Sequence, residues 1–505
     1  MLSACYRLAA ADGEEHAMPT YSLITFGCQM NQHDSERMAE VLDRAHYIRV
    51  EEPADADVIV LNTCSVRDKA EQKLRSEVGR LAMLKRRRPG IAIVVAGCVA
   101  QQEGERLLSA ARDIDLVLGP DNLTELPALL AAREIGAPGV VRAEFDVDAP
   151  RFLATSPEPG KARPSAYVTI MKGCDERCSF CIVPYTRGPE RYRPSGEIVE
   201  EISSLVQAGA REVTLLGQTV NSYRDPAARL GVADGVGESP WRHTTLRAAQ
   251  QDESEFAALL RRIAGEVPGL ARLRYTSPHP RHLTVSLIRA HRDLPVLARH
   301  VHLPVQSGSD ALLRRMIRRY SRDEFVERAG YLRKTIPGLT LSTDVIVGFP
   351  GETRHDFEQT LSLVEEVGFT GLFGFKYSPR PRTPALKLGD DVPETEKAAR
   401  LAELFQVSER LRRQHLAGLV GTRQRVLVEG RGKDGRYEGR TDRNEIVHVD
   451  SPVGQVGQVV EVAITAAFKN SLEGRAVCPP EESPPSRSAL RAPASASGRR
   501  SLPVM

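Results

Sequence analysis

Tyr167-Val-Thr-Ile-Met171-Lys-Gly-Cys174-Asp-Glu-Arg-Cys178-Ser-Phe-Cys181 is a β-like run that leads into three thiols at C-x3-C-x2-C spacing. Three thiolates this close in sequence can hold three irons of a cubane iron-sulfur cluster. Such a cluster usually takes four cysteine ligands, so one iron is left open to something else. The alternative is a structural zinc ion, which normally wants four closed ligands. No fourth cysteine or histidine lies nearby in the chain, and the cluster is the favoured reading.

Strand-like runs recur downstream of the thiols. From Ala166 to about Ser378 there are six: Tyr167 to Met171, Val213 to Leu216, Leu273 to Tyr275, Val301 to Pro304, Ser342 to Val347 and Leu372 to Lys376. Helical patterns separate most of them, which predicts a partial (β/α)6 barrel with its function at the carboxyl ends of the strands. Those ends carry the cysteine motif, Gly217-Gln218, Thr276-Ser-Pro-His279, Gln306-Ser-Gly-Ser309 and Gly348-Phe-Pro-Gly-Glu352. One polar end is ordinary loop chemistry, whereas five point to a lined cavity. The polar stretch Tyr223 to Asp252, which holds Trp241, interrupts the pattern and reads as an insertion in preference to a lid.

Upstream, residues 21 to 135 alternate strands (Tyr21 to Phe26, Val58 to Leu61, Ile91 to Ala96, Leu116 to Leu118) with helical patterns, as in a small parallel α/β domain. Cys28, Cys64 and Cys98 each fall just past one of the first three strands. Open α/β sheets bind ligands beyond their strand carboxyl ends, so these three thiols are expected to share one site; three unrelated buried thiols are the alternative. Ser156 to Pro164 reads as a linker.

The 505 residues allow about three domains. A net charge of +3, from 69 basic and 66 acidic residues, excludes a global nucleic-acid field and leaves only local patches. Lys85 to Arg88 and Arg314 to Arg319 are such runs, although a solvated helix face is the commoner meaning of each. No apolar stretch approaches the roughly 20 residues of a membrane span. The N-terminus does not read as a signal peptide, and eight scattered cysteines do not read as a disulfide framework. A cytoplasmic protein is expected. After a charged helix from Glu394 to Leu416, alternating runs at Arg425 to Glu429, Ile446 to Val449 and Val459 to Ile464 suggest a small antiparallel β-barrel. The Pro/Ser/Ala/Arg-rich tail should be disordered.

Four segments taken together resemble the radical S-adenosylmethionine (SAM) methylthiotransferases over essentially residues 19 to 478. They are Thr25-Phe-Gly-Cys28-Gln-Met-Asn31, Asn62-Thr-Cys64-Ser-Val-Arg67, Ala96-Gly-Cys98-Val-Ala-Gln101 and Cys181-Ile-Val-Pro-Tyr-Thr-Arg-Gly188. Tyr437-Glu-Gly-Arg-Thr-Asp-Arg-Asn444 is similar to the TRAM domain, a small RNA-binding fold. The domains implied are an iron-sulfur domain over 19–137, a radical SAM core over 160–416, TRAM over 419–480 and the tail over 481–505. Gln29-Met30-Asn31 and Pro184-Tyr185-Thr186-Arg187 favour the branch that methylthiolates N6-isopentenyladenosine at position 37 of tRNA. The other branches act on threonylcarbamoyl-adenosine of tRNA or on an aspartate of a ribosomal protein, and an iron-sulfur RNA-binding regulator without turnover is a third reading. Two departures stand out: the long loop 223–252, and Thr219 where the branch more often has asparagine.

The resemblance implies two [4Fe-4S] clusters with three protein ligands each: Cys28, Cys64 and Cys98 on one, and Cys174, Cys178 and Cys181 on the other, where SAM binds and is cleaved to a radical. Further SAM contacts are expected at Gln218, Gln306, Ser307, Asp344 and Glu352, each of which could equally satisfy backbone at a loop start. The two sites must face one another, which predicts that the N-terminal sheet edge packs over the barrel mouth. The expected partners are the anticodon loop of tRNA and an external electron donor of flavodoxin or ferredoxin type; a monomer with no membrane contact is expected. Residues 419–478 carry nine Lys/Arg and eight Asp/Glu, so RNA binding there must come from arrangement, with Arg423, Arg425, Arg440, Arg443 and Lys469 as contributors. A purely structural barrel is the alternative.

Overall fold

In the computed structural model, residues 18–65, 68–148, 150–155, 157, 160, 162–229, 254–432, 434–450 and 456–477 are described. Trp241 and most of its loop, much of the 156–164 linker, and the tail lie outside the described residues.

The N-terminal sheet is parallel throughout and has six strands: β1 (Thr20–Phe26), β2 (Ile48–Arg49), β3 (Val58–Thr63), β4 (Ala92–Gly97), β5 (Leu116–Leu118) and β6 (Val140–Arg142), in the order β2-β1-β3-β4-β5-β6. β3 and β4 are buried at every position, as central strands covered on both faces must be. Alternate residues feed two cores: Ile59, Leu61, Ile93 and Val95 on one face, and Val58, Val60, Val94 and Ala96 on the other. Phe26 pairs with Thr63 and Thr63 with Gly97, so β1, β3 and β4 end level. That register brings the three widely spaced cysteines to one edge. The sheet continues past residue 137 to take in β6.

β7 (Ser165–Thr169) opens the second unit. The antiparallel pair β8 (Met171–Lys172) and β9 (Arg191–Tyr192) then closes the cysteine loop at its base. Gly173, at φ 80°, is required there because a Cβ would stand 1.8 Å from the Pro189 carbonyl. β10 (Glu212–Leu216) and β11 (Arg272–Tyr275) join β7 in one parallel sheet, and β12 (His300–His302), β13 (Thr340–Val347) and β14 (Gly371–Lys376) form another. A parallel bridge between Leu273 and Leu297 links the two, and one continuous core from Val168 through Leu273 to Val345 fills them. This is the open six-stranded barrel expected from the run of strands.

The helix Glu394–Ala417 leads to the terminal barrel, formed by β15 (Arg423–Arg431), β16 (Tyr437–Thr441), β17 (Ile446–Val449), β18 (Val459–Ala467) and β19 (Ser471–Ala476). It closes in the order β15-β16-β17-β19-β18, antiparallel apart from the parallel pair β17 and β19. Its Arg440–Arg443 turn docks on the amino-terminal ends of the barrel strands, opposite the thiols. Arg272 donates to Glu212 at 2.9 Å and to Asp442 at 2.6 Å, while Arg274 donates to the Thr441 carbonyl at 2.8 Å. Arg272 is buried with Glu212, and breaking a buried ion pair leaves a charge uncompensated. We expect Arg272→Met to lower stability by about 3 kcal/mol and to make the terminal barrel protease-sensitive. An unchanged melt and an unchanged digestion pattern would show that Arg274 alone carries the interface.

Candidate active site

Cys28 caps the helix Gln29–Arg44, Cys64 follows β3, and Cys98 begins the helix Cys98–Glu103. All three are free thiols. A hydrogen bond from Cys64 brings the Cys28 thiol down to about 6, while burial, with Cys28 beside it, pushes Cys98 up. A pair of buried amides fixes the loop. Asn31 Nδ2 donates to Asn62 Oδ1 at 3.2 Å, and Asn62 Nδ2 donates to the Asn31 carbonyl at 2.7 Å and to Ser35 Oγ at 2.9 Å. Gly97, at φ 92°, has no room for a Cβ, which would meet Asn62 Oδ1 at 2.2 Å.

Cys174 and Cys178 are buried and Cys181 partly so, with the Cys181 N–H on the Cys178 carbonyl at 3.1 Å. Burial, with neighbouring thiols adding, pushes Cys181 up to about 12 and Cys174 higher still. Thiolates that repel one another in a buried pocket need a multivalent cation to balance them, so the donor set suits a metal group. Among the described residues, Glu176, His279 and His282 bring their ligand atoms within 4.8 Å of one another, close enough for one ion. The Glu176 group itself is unsuited to a cation. Arg281 stands 3.9 Å from Glu176, and His279 Nδ1 already accepts the Arg281 N–H, which leaves the ring proton on Nε2.

Arg187, six residues past the last barrel thiol, reaches across to the N-terminal triad. From the loop after Cys181, its Nε donates to Cys98 Sγ at 3.2 Å and its Nη2 to Asp34 at 2.5 Å. Arg191 and Lys172 both pair with Asp121 of the N-terminal domain, and Arg163 with Glu36. The sheet edge therefore packs over the barrel mouth, as the two-site reading requires.

The residues expected near SAM are placed as follows. Gln218 Oε1 accepts the Gly173 N–H at 2.5 Å, and its Nε2 is buried without a hydrogen-bond partner among the described residues. Gln306 has the left-handed φ of 74° and bridges to Val345 on β13, next to Asp344, which faces His302 at 3.3 Å. Ser307 lies on Thr360, and Glu352 accepts from Gly348 and from Arg400. Thr219, the departure from the family pattern, lies on Cys174 with its hydroxyl 3.1 Å from the sulfur.

Each basic run is partly tied into the structure and partly exposed, with Arg86, Arg87 and Arg314 facing solvent. Lys85 pairs with Asp115 and Arg88 with Asp57. The second run leaves its helix at Arg315 and turns Arg318 inward. Of the residues expected to contact RNA, Arg440 lies near Glu429 and Arg443 donates to Gln424 beside the docked turn, while Arg423 lies near Glu461 and Lys469 pairs with Glu409. Sequence reasoning did not single out Asp34, Arg318 or Glu176. Arg318 is signalled by its basic run and Glu176 by its place inside the C-x3-C-x2-C loop, while nothing local signals Asp34.

Three matched regions define the class. Residues 168–364 match the Radical SAM superfamily, 20–119 the uncharacterized protein family UPF0004, and 418–477 the TRAM domain. A solved radical SAM methyltransferase, TsrM from Kitasatospora setae, is similar in fold, with TM-score 0.50, 12% identity, and coverage of 73% of this chain and 74% of that one. The chain is 61% identical over 510 residues to the tRNA-2-methylthio-N(6)-dimethylallyladenosine synthase of Sorangium cellulosum, covering 97% of this chain and 99% of the relative. The synthase of Acidithiobacillus ferrooxidans is 45% identical over 458 residues, covering 90% of this chain and 96% of the relative. This chain belongs to the family of tRNA-2-methylthio-N(6)-dimethylallyladenosine synthases.

Proposed function

We propose that the protein converts N6-(dimethylallyl)adenosine at position 37 of tRNA to its 2-methylthio form, using SAM and two [4Fe-4S] clusters. The observation that carries this reading is Arg187, which reaches from the chain just past the barrel thiols across the domain boundary to Cys98 and Asp34. The C2–H bond of adenine is neither acidic nor polarised, so positioned carboxylates acting as general acid or base would not suffice. When bound, the clusters and SAM supply the one-electron chemistry and the sulfur that this bond requires.

The chain's own residues bind, orient and shield. Cys28, Cys64 and Cys98 would hold one cluster, and Cys174, Cys178 and Cys181 the other. The Asn31–Asn62 amides fix the first triad, and Thr219 and Arg318 donate to sulfurs of the second. Gln218, Gln306 and Asp344 are SAM contacts, while Ser307 and Glu352 shape the loops that present them. Arg187, buried with Asp34, keeps the mouth closed to water.

Position 37 lies in a single-stranded loop, where a base can be splayed into a cavity while basic groups hold phosphates. On the TRAM barrel this role falls to Arg423, Arg425 and Lys469, which are exposed, and to Arg440 and Arg443 beside the docked turn. A flavodoxin- or ferredoxin-type donor supplies electrons in the cytoplasm, and the protein acts as a monomer. None of the described helices is long and apolar enough to cross a membrane. Nucleoside mass spectrometry of tRNA from cells lacking the protein tests the reading. We expect loss of the methylthio nucleoside with the dimethylallyl form retained; loss of a threonylcarbamoyl derivative would overturn it.

A further inference from the structure

Arg318 is the most constrained cation near the barrel thiols. It is 4% exposed, and the residues on both sides of it, Ile317 at φ 57° and Arg319 at φ 56°, are in the left-handed region. A β-branched residue in that region costs of order 1–3 kcal/mol and persists only where the surroundings over-determine it. Here three hydrogen bonds do so. Arg318 Nη1 donates to Cys178 Sγ at 3.2 Å, Nη2 to the Pro304 carbonyl at 2.9 Å, and Nε to the Tyr320 hydroxyl at 2.9 Å. Met316 is held in turn, its carbonyl accepting from the Ser179 N–H at 3.0 Å. The twisted turn therefore has one evident result, which is to aim a guanidinium at a thiol of the C-x3-C-x2-C loop.

The two arginines that touch cysteines differ in their charge balance. Arg187 donates to Cys98 but is neutralised by Asp34 at hydrogen-bond distance. Arg318's partners are a thiol, a carbonyl and a phenol, and among the described residues no carboxylate hydrogen-bonds it. Glu176, a carboxylate on which the Arg318 charge acts weakly, is already engaged by His282 at 2.9 Å. A hydrogen bond to a ligating sulfur and an unneutralised positive charge both favour the more negative, reduced form of an iron-sulfur cluster. We propose that Arg318 is a positioning residue that, acting through Cys178, raises the reduction potential of the cluster in the barrel and leaves that of the N-terminal cluster alone.

This rests on the reading that Cys174, Cys178 and Cys181 hold a cluster, and the experiment separates the two claims. Full-length protein carrying Cys28→Ala, Cys64→Ala and Cys98→Ala is reconstituted anaerobically, so that only the barrel site contributes. It is then titrated with dithionite and mediators, one electron entering per reduced cluster, and followed by electron paramagnetic resonance. Failure of this parent to take up iron would sink the cluster reading itself. With iron bound, Arg318→Met should lower the reduced-to-oxidised ratio at a fixed potential about tenfold, a shift of about 59 mV in the negative direction for one electron. Arg318→Lys, which keeps the charge, should recover most of that. In protein with both triads intact, the N-terminal cluster should titrate unchanged in Arg318→Met, an internal control against general misfolding. Full iron with an unmoved midpoint would overturn the proposal. So would loss of iron in Arg318→Met alone, since Arg318 would then be retaining the cluster, not tuning it.

Discussion

Replacing Cys28, Cys64 and Cys98 together with alanine should remove about half of the bound iron and abolish the methylthio nucleoside, while SAM cleavage in the barrel continues. The asymmetry follows from the architecture. The N-terminal thiols sit on β1, β3 and β4, a sheet with its own cores on both faces, whereas the barrel thiols sit in a loop closed by β8 and β9. Neither triad contributes a ligand to the other. The reciprocal replacement of Cys174, Cys178 and Cys181 should likewise halve the iron, yet abolish both SAM cleavage and product. Iron and sulfide quantitation, with mass spectrometry of 5′-deoxyadenosine and of tRNA nucleosides, reads all four quantities. Thiolation that survived loss of the N-terminal triad would show that those thiols are only structural, and the two-site account would fail.

The legible parts of the fold are those where one physical constraint acts locally. β3 and β4 carry the apolar runs 58–61 and 92–96 because they are covered on both faces, whereas the barrel strands are legible as shorter, partly polar runs recurring between helical patterns. The three dispersed cysteines could be grouped because each closes a strand, and level strand ends make that grouping spatial. Ile48–Arg49 and Val140–Arg142 escaped notice because edge strands of two or three residues bury too little to show a pattern. β16 and β19 escaped because the glycines in Tyr-Glu-Gly-Arg-Thr and Ser-Leu-Glu-Gly-Arg-Ala weaken any strand signal, yet Gly439 and Gly474 are where neighbouring backbone comes close. The cation sites were least legible. A basic run such as Arg314 to Arg319 has the same composition whether it lies along a solvated helix or turns inward through two left-handed residues. Arg440 and Arg443 were read from charge alone, whereas their environment is set by a barrel end contributed by residues far away in sequence. Arg187 and Asp34 are separated by 153 positions, so no local pattern connects them.

Arg187→Met should uncouple the two halves of the reaction. The guanidinium is buried and held firmly charged by Asp34 and Cys98 despite its burial. Removing it strands the Asp34 carboxylate, whose side chain is only 11% exposed, with no other cation in hydrogen-bond reach among the described residues, and takes the donor from Cys98. Breaking a buried pair from one side costs about 3–5 kcal/mol, most of it the uncompensated charge. The simplest relief is for the sheet edge to lift from the barrel mouth. A displacement of even about 1 Å between reacting groups is enough for a roughly 100-fold loss of rate. We therefore expect methylthio product to fall by about two orders of magnitude while SAM cleavage in the barrel, which needs only Cys174, Cys178 and Cys181, stays within about threefold of the parent. Adding Asp34→Asn removes the stranded charge, so the double variant should regain most of the lost stability and little of the lost product, since Cys98 still lacks its donor. That separation distinguishes orientation from bulk destabilisation, because the two partners contact each other and their energies need not add. If the single variant thiolates within about twofold of the parent, the contact across the domain boundary does not align the two sites, and the other cross-domain pairs, Arg191 and Lys172 with Asp121, would carry that role instead.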